Sequence, residues 1–197
     1  MNFKRIFALL TLLALCAGLV SCGCKEHTDS DYDGKCDSCE EILLELPQKG
    51  SSVGSLCPTY ALEKMDGGTV RLDELRGKVV VINFWGTWCN PCKSELPDFD
   101  RVASEMSEDV VVLAIHSSDG RDDAPEYISE NFSDSKMIFA YDKALPGTID
   151  IYYGLLGGGM YYPRTVIVDK YGVITFTRDG VLSHEQLVSE VEKAKTN

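Results

Sequence analysis

One junction constrains this chain more than any other feature. Lys78 to Trp85 is a near-continuous apolar run rich in Val and Ile, and it leads through Gly86, Thr87 and Trp88 into Cys89-Asn90-Pro91-Cys92. Such a run suits a central strand buried on both faces. After the second cysteine, Leu96, Phe99, Val102, Ala103 and Met106 recur at helical spacing. The cysteine pair therefore sits where a buried strand hands over to a helix. There, unsatisfied N–H groups and the positive end of the helix dipole stabilise a thiolate. Cys89, the outer member, is expected to be the exposed nucleophile, and Cys92, one turn inside, to attack the mixed disulfide and release the partner. Pro91 suits the first helical turn, where its missing N–H costs nothing. A structural disulfide or half of a zinc site would use the same spacing, but no second Cys-x-x-Cys follows downstream. Covalent haem is excluded, because Cys39 is followed by Glu40 and Cys92 by Lys93.

Strands and helices alternate around this junction. Asp109 to Ile115 repeats the buried-strand pattern, and Ile138 to Tyr141 is a shorter strand. Thr165 to Asp169 and Val173 to Thr177, separated by Lys170-Tyr171-Gly172, read as an antiparallel hairpin. Asp123 to Asn131 is a helix candidate, with Asp123 as N-cap and Pro125 in the first turn. The last helix runs from His184 to Lys195, preceded by a Ser183/Gln186 capping box. This order predicts an α/β fold, a central mixed β-sheet flanked by helices.

The remaining cysteines call for composition. The chain has 197 residues, room for one ordinary domain plus extras, and eight cysteines. That is many for a cytosolic chain, yet their spread is too uneven for one disulfide framework. A formal net charge of −12 argues against a nucleic-acid surface, which needs clustered Lys and Arg. Lys4 and Arg5 precede an apolar run from Ile6 to Val20, fifteen residues long. A membrane span needs about 20, so this length suits the core of a signal peptide. The run closes on Leu19-Val20-Ser21-Cys22, which resembles the lipobox of bacterial lipoproteins. The resemblance implies a mature protein beginning at lipidated Cys22, with Cys16 discarded. A plain secretory leader with a chance cysteine is the alternative. Either way the rest of the chain is expected outside the cytosol, where thiols can be oxidised.

Two metal patterns interleave between Cys24 and Glu40. Asp29, Asp31, Asp33, Asp37 and Glu40 occupy positions 1, 3, 5, 9 and 12 of an EF-hand-like calcium loop, with Gly34 at position 6 and the Lys35 carbonyl at position 7. Cys24, His27, Cys36 and Cys39 form two knuckles suited to tetrahedral zinc. Calcium, zinc, both, or a merely solvated acidic spacer are the readings left open. Disulfides are a further alternative for the cysteines, with Cys57 available to pair. Cys57 otherwise packs as a small apolar residue. The expected organisation is a signal peptide at 1–21, a lipidated, metal-binding-like segment at 22–40, a linker at 41–54 and a thioredoxin-like domain at 55–197, the last named from the following resemblance.

From about Val53 onward the chain resembles the thioredoxin superfamily, most closely its extracytoplasmic TlpA/ResA-like branch. The matching stretches run from Gly77 to Pro97 and from Tyr162 to Asp169. The resemblance implies a thioredoxin-like fold and a cis Tyr162–Pro163 bond packed against the cysteines, with backbone there binding an extended substrate segment. Trp88, Asn90, Pro91 and Tyr162 would border and support the pair. Asn83 stands where thioredoxin has a buried aspartate, and Glu95 matches a glutamate that the branch carries three residues after the second cysteine. Glu95 is thus expected to tune the cysteines or accept a proton during attack by Cys92; a helix-surface glutamate is the alternative. The glycine run Gly154 to Gly159 suggests a mobile loop beside the site, or only a long turn.

The function expected is a membrane-anchored, extracytoplasmic thiol–disulfide oxidoreductase, reducing disulfides in exported proteins and possessing no redox cofactor. A membrane thiol-electron carrier would re-reduce it. The family includes members that prepare apocytochrome thiols for haem attachment. A thiol oxidant is the opposite direction of the same chemistry. A peroxiredoxin-like peroxidase would need Pro at Trp85 and Thr at Cys89 if aligned on Cys92, and neither is present. A surface metal-binding module with an accessory redox domain is the non-enzymatic alternative.

Overall fold

In the computed structural model, residues 28–40, 42–117, 123–142, 151–159 and 161–197 are described. The expected leader with Cys16, and Cys22, Cys24 and His27, lie outside the described residues. The strands are β1 (Leu62–Lys64), β2 (Thr69–Val70), β3 (Val79–Trp85), β4 (Val110–Ser117), β5 (Ile138–Asp142), β6 (Arg164–Val168) and β7 (Ile174–Asp179). They make a sheet in the order β2-β1-β5-β4-β3-β6-β7. β3, β4 and β5 run parallel; the pairs β3–β6, β6–β7, β1–β5 and β1–β2 are antiparallel. This is the thioredoxin-like mixed sheet flanked by helices. Every residue of β3 is buried, as a strand covered on both faces requires.

The helices are α1 (Asn90–Glu105), α2 (Ala124–Asn131), α3 (Ile151–Leu155) and α4 (His184–Lys195). Alternation along β3 separates two cores. Val79, Val81 and Trp85 join Leu96, Phe99 and Val102 of α1, Ala124 of α2 and Leu187 and Val191 of α4. Val80, Ile82 and Phe84 face the other way, toward Tyr152 and Tyr153 of α3 and toward Cys57, Leu62 and Leu72. At the start of α4 the capping box forms: Gln186 N–H donates to Ser183 Oγ at 3.3 Å and Ser183 N–H to Gln186 Oε1 at 3.1 Å. Asp123 precedes α2 as expected, but its carboxylate makes no cap; it accepts the Thr87 hydroxyl at 2.6 Å. The β1–β2 hairpin and α3 have no counterpart among the sequence expectations.

The acidic N-terminal segment docks on this domain. Arg76 Nη1 donates to the Tyr32 carbonyl at 2.7 Å, and the Tyr32 ring lies 5.5 Å from that of Tyr171. A Cβ on Gly77 would come within 2.9 Å of the Tyr32 ring, so this close approach depends on glycine. Further along, the expected linker closes against the sheet: Gly54 N–H donates to Ile174 O at 2.8 Å and Ile174 N–H to Ser55 O at 2.9 Å. Gly77 and Tyr171 lie at the end of the sheet where β3 begins. The seven residues of β3 place the cysteine pair about 20 Å away, at its far end. Among the described residues, no helix is long and apolar enough to cross a membrane.

Candidate active site

The cysteine pair forms where the strand run ends. β3 stops at Trp85, a turn closes with Cys89 N–H on Gly86 O at 2.9 Å, and α1 begins at Asn90 with Pro91 in its first turn. Cys89 is the N-cap: its Sγ accepts the Cys92 N–H at 3.2 Å. Cys89 and Cys92 are joined by a disulfide with Cα atoms 5.2 Å apart. Both cysteines are buried, Cys89 with 5% of its surface exposed and Cys92 with none, which corrects the expectation of an exposed Cys89: in the disulfide form it is the less covered of the two, packed in the core beside α1. One N–H of the helix terminus is thus already aimed at the sulfur on which a thiolate would form.

An aromatic wall stands beside the pair. The Tyr162–Pro163 peptide bond is cis. Tyr162 packs edge to face on Trp88, ring centroids 5.1 Å apart, and stacks on Tyr153 at 4.6 Å. Trp88 is 37% exposed and Tyr161 72%, whereas Trp85 is fully inside. The Trp88 indole lies over Gly86, where a Cβ would come within 2.7 Å of it. Exposed aromatic surface next to a disulfide suits an incoming polypeptide segment.

The glycine run is a hydrogen-bonded helix terminus, which corrects the expectation of a mobile loop in favour of the turn. Gly158 N–H returns to Tyr153 O at 2.8 Å and Gly157 N–H to Gly154 O at 3.0 Å, with Gly157 at φ +72°. That is a Schellman termination of α3, and glycine meets the left-handed requirement. A Cβ on Gly158 would meet the Tyr153 carbonyl oxygen at 2.6 Å. Arg164 Nη2 donates to Leu156 O at 2.9 Å, while its Nη1 pairs with Asp179 at 2.6 Å. At the other end of α3, the Asp142 carboxylate accepts the N–H groups of Tyr152 and Tyr153 at 2.8 and 2.6 Å.

Glu95 is not a surface residue. It is 1% exposed, inside the turn of α1 that faces β3. Its Oε1 accepts Asn83 Nδ2 at 2.8 Å and its Oε2 accepts Leu182 N–H at 3.0 Å. Burial pushes its carboxyl up to about 7, with Asp98 adding to the rise, against the Leu182 and Asn83 hydrogen bonds that pull it down. A carboxyl poised there can hold or yield a proton near neutral pH. Cys57 packs as expected of an apolar filler: burial pushes its thiol up to about 12, and its Sγ is 3.8 Å from the Tyr152 hydroxyl.

The metal expectations fare unevenly. Oxygens of Asp29, Asp31 and Asp37 lie within 4.8 Å of one another. Asp33 and Glu40 stand outside that group: the Asp33 carboxylate accepts Lys35 N–H at 2.8 Å, and Glu40 pairs with the Lys35 ammonium at 3.7 Å. Hydrogen bonds from Ser30, side chain first, hold Asp37 below the usual carboxylate range. Gly34 turns the loop at φ +86°. The zinc set needs correction. Cys39 is disulfide-bonded, and a disulfide sulfur is not the thiolate that zinc binds. Cys36 is buried, and the other two residues of the set lie outside the described residues.

Three residues bonded at the redox turn had no such contact assigned from sequence: Thr87, Asp123 as its partner, and His116. His116 Nε2 accepts the Thr87 N–H at 3.2 Å across 29 residues of sequence, a separation that no local spacing reveals.

Comparison with known proteins was consistent with this geometry. Residues 53–177 match the AhpC/TSA family. The thiol–disulfide oxidoreductase ResA of Halalkalibacterium halodurans is 31% identical over 141 residues, covering 70% of this chain and 73% of that protein. The thioredoxin-like protein YneN of Bacillus subtilis is 28% identical over 148 residues, covering 73% and 81%. Among solved structures, the exposed lipoprotein thioredoxin of Streptococcus pneumoniae superposes with a TM-score of 0.58 at 26% identity, over 69% of this chain and 99% of that one.

Proposed function

The chain belongs to the AhpC/TSA family and is a thioredoxin-like thiol–disulfide oxidoreductase, and from that premise we propose that it is a membrane-anchored reductant of disulfides in exported proteins. The observation that carries this reading is the Cys89–Cys92 pair itself, bonded sulfur to sulfur at the head of α1, with Cys89 the less buried of the two. In the reduced enzyme the Cys89 thiolate attacks one sulfur of a substrate disulfide. A mixed disulfide forms, and the second substrate sulfur leaves as a thiolate that takes a proton from solvent. Glu95, as carboxylate, accepts the Cys92 proton; Cys92 then attacks Cys89 Sγ and expels the remaining substrate thiol. Two electrons have passed to the substrate, and the enzyme is left as the disulfide described above. A membrane dithiol carrier returns the pair to the reduced state.

Trp88 and Tyr162 form the wall against which the substrate lies, and backbone beside Pro163 pairs with its extended chain. Asn90 and Pro91 start the helix. Anchoring follows from the lipobox resemblance at Cys22. Apocytochromes awaiting haem are one class of exported substrate this chemistry serves. The redox step uses no cofactor.

The N-terminal segment docks where β3 begins, at the opposite end of that strand from the cysteine pair, and is assigned a positioning role; Asp29, Asp31 and Asp37 are the residues that would hold calcium there. Deleting Cys24 to Glu40 is therefore expected to leave the rate of insulin disulfide reduction within about twofold of the full chain. Loss of that activity on deletion would make the segment part of the redox machinery. Acceleration of insulin reduction by the intact protein, with dithiothreitol as electron donor, tests the proposed direction of catalysis; catalysed oxidation of reduced substrate without such reduction would overturn it.

A further inference from the structure

His116 ends the run of β4 residues opposite β3, in register with Trp85, and is fully buried. Its Nε2 accepts the Thr87 N–H at 3.2 Å, so the neutral ring carries its proton on Nδ1. Trp85 meets the imidazole edge to face at 4.8 Å and Tyr141 does so at 6.2 Å, which fixes the ring plane. The Thr87 hydroxyl donates to Asp123 at 2.6 Å. Thr87 is thus held through its main chain by β4 and through its side chain by the start of α2. It is also the second residue of the turn that Cys89 N–H closes on Gly86 O. Thr87 is itself buried, so without His116 its N–H would lack an acceptor and the turn would relax to find one.

We propose that His116 is a positioning residue for the redox pair: through Thr87 it fixes the Gly86-to-Cys89 turn, keeping Cys89 Sγ at the head of α1, where the Cys92 N–H meets it at 3.2 Å. The thiolate of the reduced enzyme is stabilised only while the sulfur stays in line with that helix terminus. This inference rests on the reading of Cys89 as the attacking thiol.

The test uses the full, reduced chain and follows alkylation of Cys89 by iodoacetamide against pH, in the wild type, His116→Leu and His116→Gln. Leu removes the acceptor. Gln places an amide oxygen near the position of Nε2. His116→Leu is expected to shift the Cys89 titration to higher pH and to slow alkylation at neutral pH about fivefold, the scale of one net hydrogen bond. His116→Gln restores the wild-type curve. A folded His116→Leu variant with the wild-type titration overturns the proposal, and so does a His116→Gln variant that behaves like Leu. Should His116→Leu fail to fold, His116→Phe, which keeps a flat ring but offers no acceptor to the Thr87 N–H, is read on the same assay: a raised Cys89 titration supports the proposal and an unchanged one overturns it. Failure of the underlying reading is distinguishable, since it appears as disulfide reduction that survives Cys89→Ser.

Discussion

Cys92→Ser is expected to halt the enzyme after its first exchange, with substrate held on Cys89 through a mixed disulfide that migrates as one covalent species under non-reducing conditions. Cys89→Ser gives the opposite result: no trapped species, and disulfide reduction lower by more than about 10³-fold, the scale on which removing a covalent nucleophile acts. The asymmetry comes from the burial of the two sulfurs. Cys92 has no exposed surface and cannot meet a substrate disulfide, whereas Cys89, the N-cap of α1, keeps 5% of its surface exposed. Serine at position 92 leaves Cys89 able to attack but removes the thiol that would release the partner. Substrate trapped on Cys92 in the Cys89→Ser variant would reverse the assigned roles. Peroxide consumption surviving in that variant would favour peroxidase chemistry instead. Mass spectrometry of the trapped adducts also names the partners.

Glu95→Gln carries the second large effect, and it shows in two measurements. In the folded protein the Glu95 carboxyl is raised to about 7 from an ordinary 4.5, because burial disfavours its charged form. The folded state therefore holds this proton more tightly than the unfolded chain does. Its stabilising contribution is complete below about 4.5 and is lost as pH rises through about 7. The displacement corresponds to about 3 kcal/mol. Urea unfolding at pH 4 and pH 8 is expected to show the wild type losing about that much stability relative to Glu95→Gln across the interval, whatever the constant cost of the glutamine. Parallel pH dependence in the two proteins would contradict the buried, proton-holding carboxyl. In single-turnover reduction, Glu95→Gln is expected to slow release of the mixed disulfide about 10²-fold while leaving its formation close to wild type, as loss of a general base to Cys92 requires. Equal slowing of both steps would place Glu95 outside the resolving chemistry.

Local patterns made much of this fold legible before the structure. β3 announced itself by a run with no polar face, and α4 by a capping box whose two hydrogen bonds both form. The cysteine spacing located the redox turn because a Cys-x-x-Cys motif is local by nature. What escaped is held together by distant partners. β1 and β2 are three and two residues long, too short to show a period, and exist because β1 pairs with the edge of β5. α3 has five residues and begins where the Asp142 carboxylate caps it. Glu95 could be matched to a family position, yet its burial follows from Leu182, 87 residues away in sequence. His116 accepts the Thr87 N–H from 29 residues away, a contact that no local pattern announces.

The glycine run teaches the converse. Three successive glycines suggest mobility when read alone, but here they satisfy one left-handed residue and one close backbone approach at the end of α3. In the N-terminal segment, cysteine spacing favoured a zinc set, while connectivity among several cysteines does not follow from spacing. The disulfide at Cys39 decides against that set.

The direction of electron flow rests on one number, the reduction potential of the Cys89–Cys92 couple, measured by equilibration of the full chain with glutathione or dithiothreitol redox buffers and quantified by thiol alkylation. A reductant of exported disulfides should lie below about −200 mV; a value near −120 mV, typical of a strong oxidant, would contradict it.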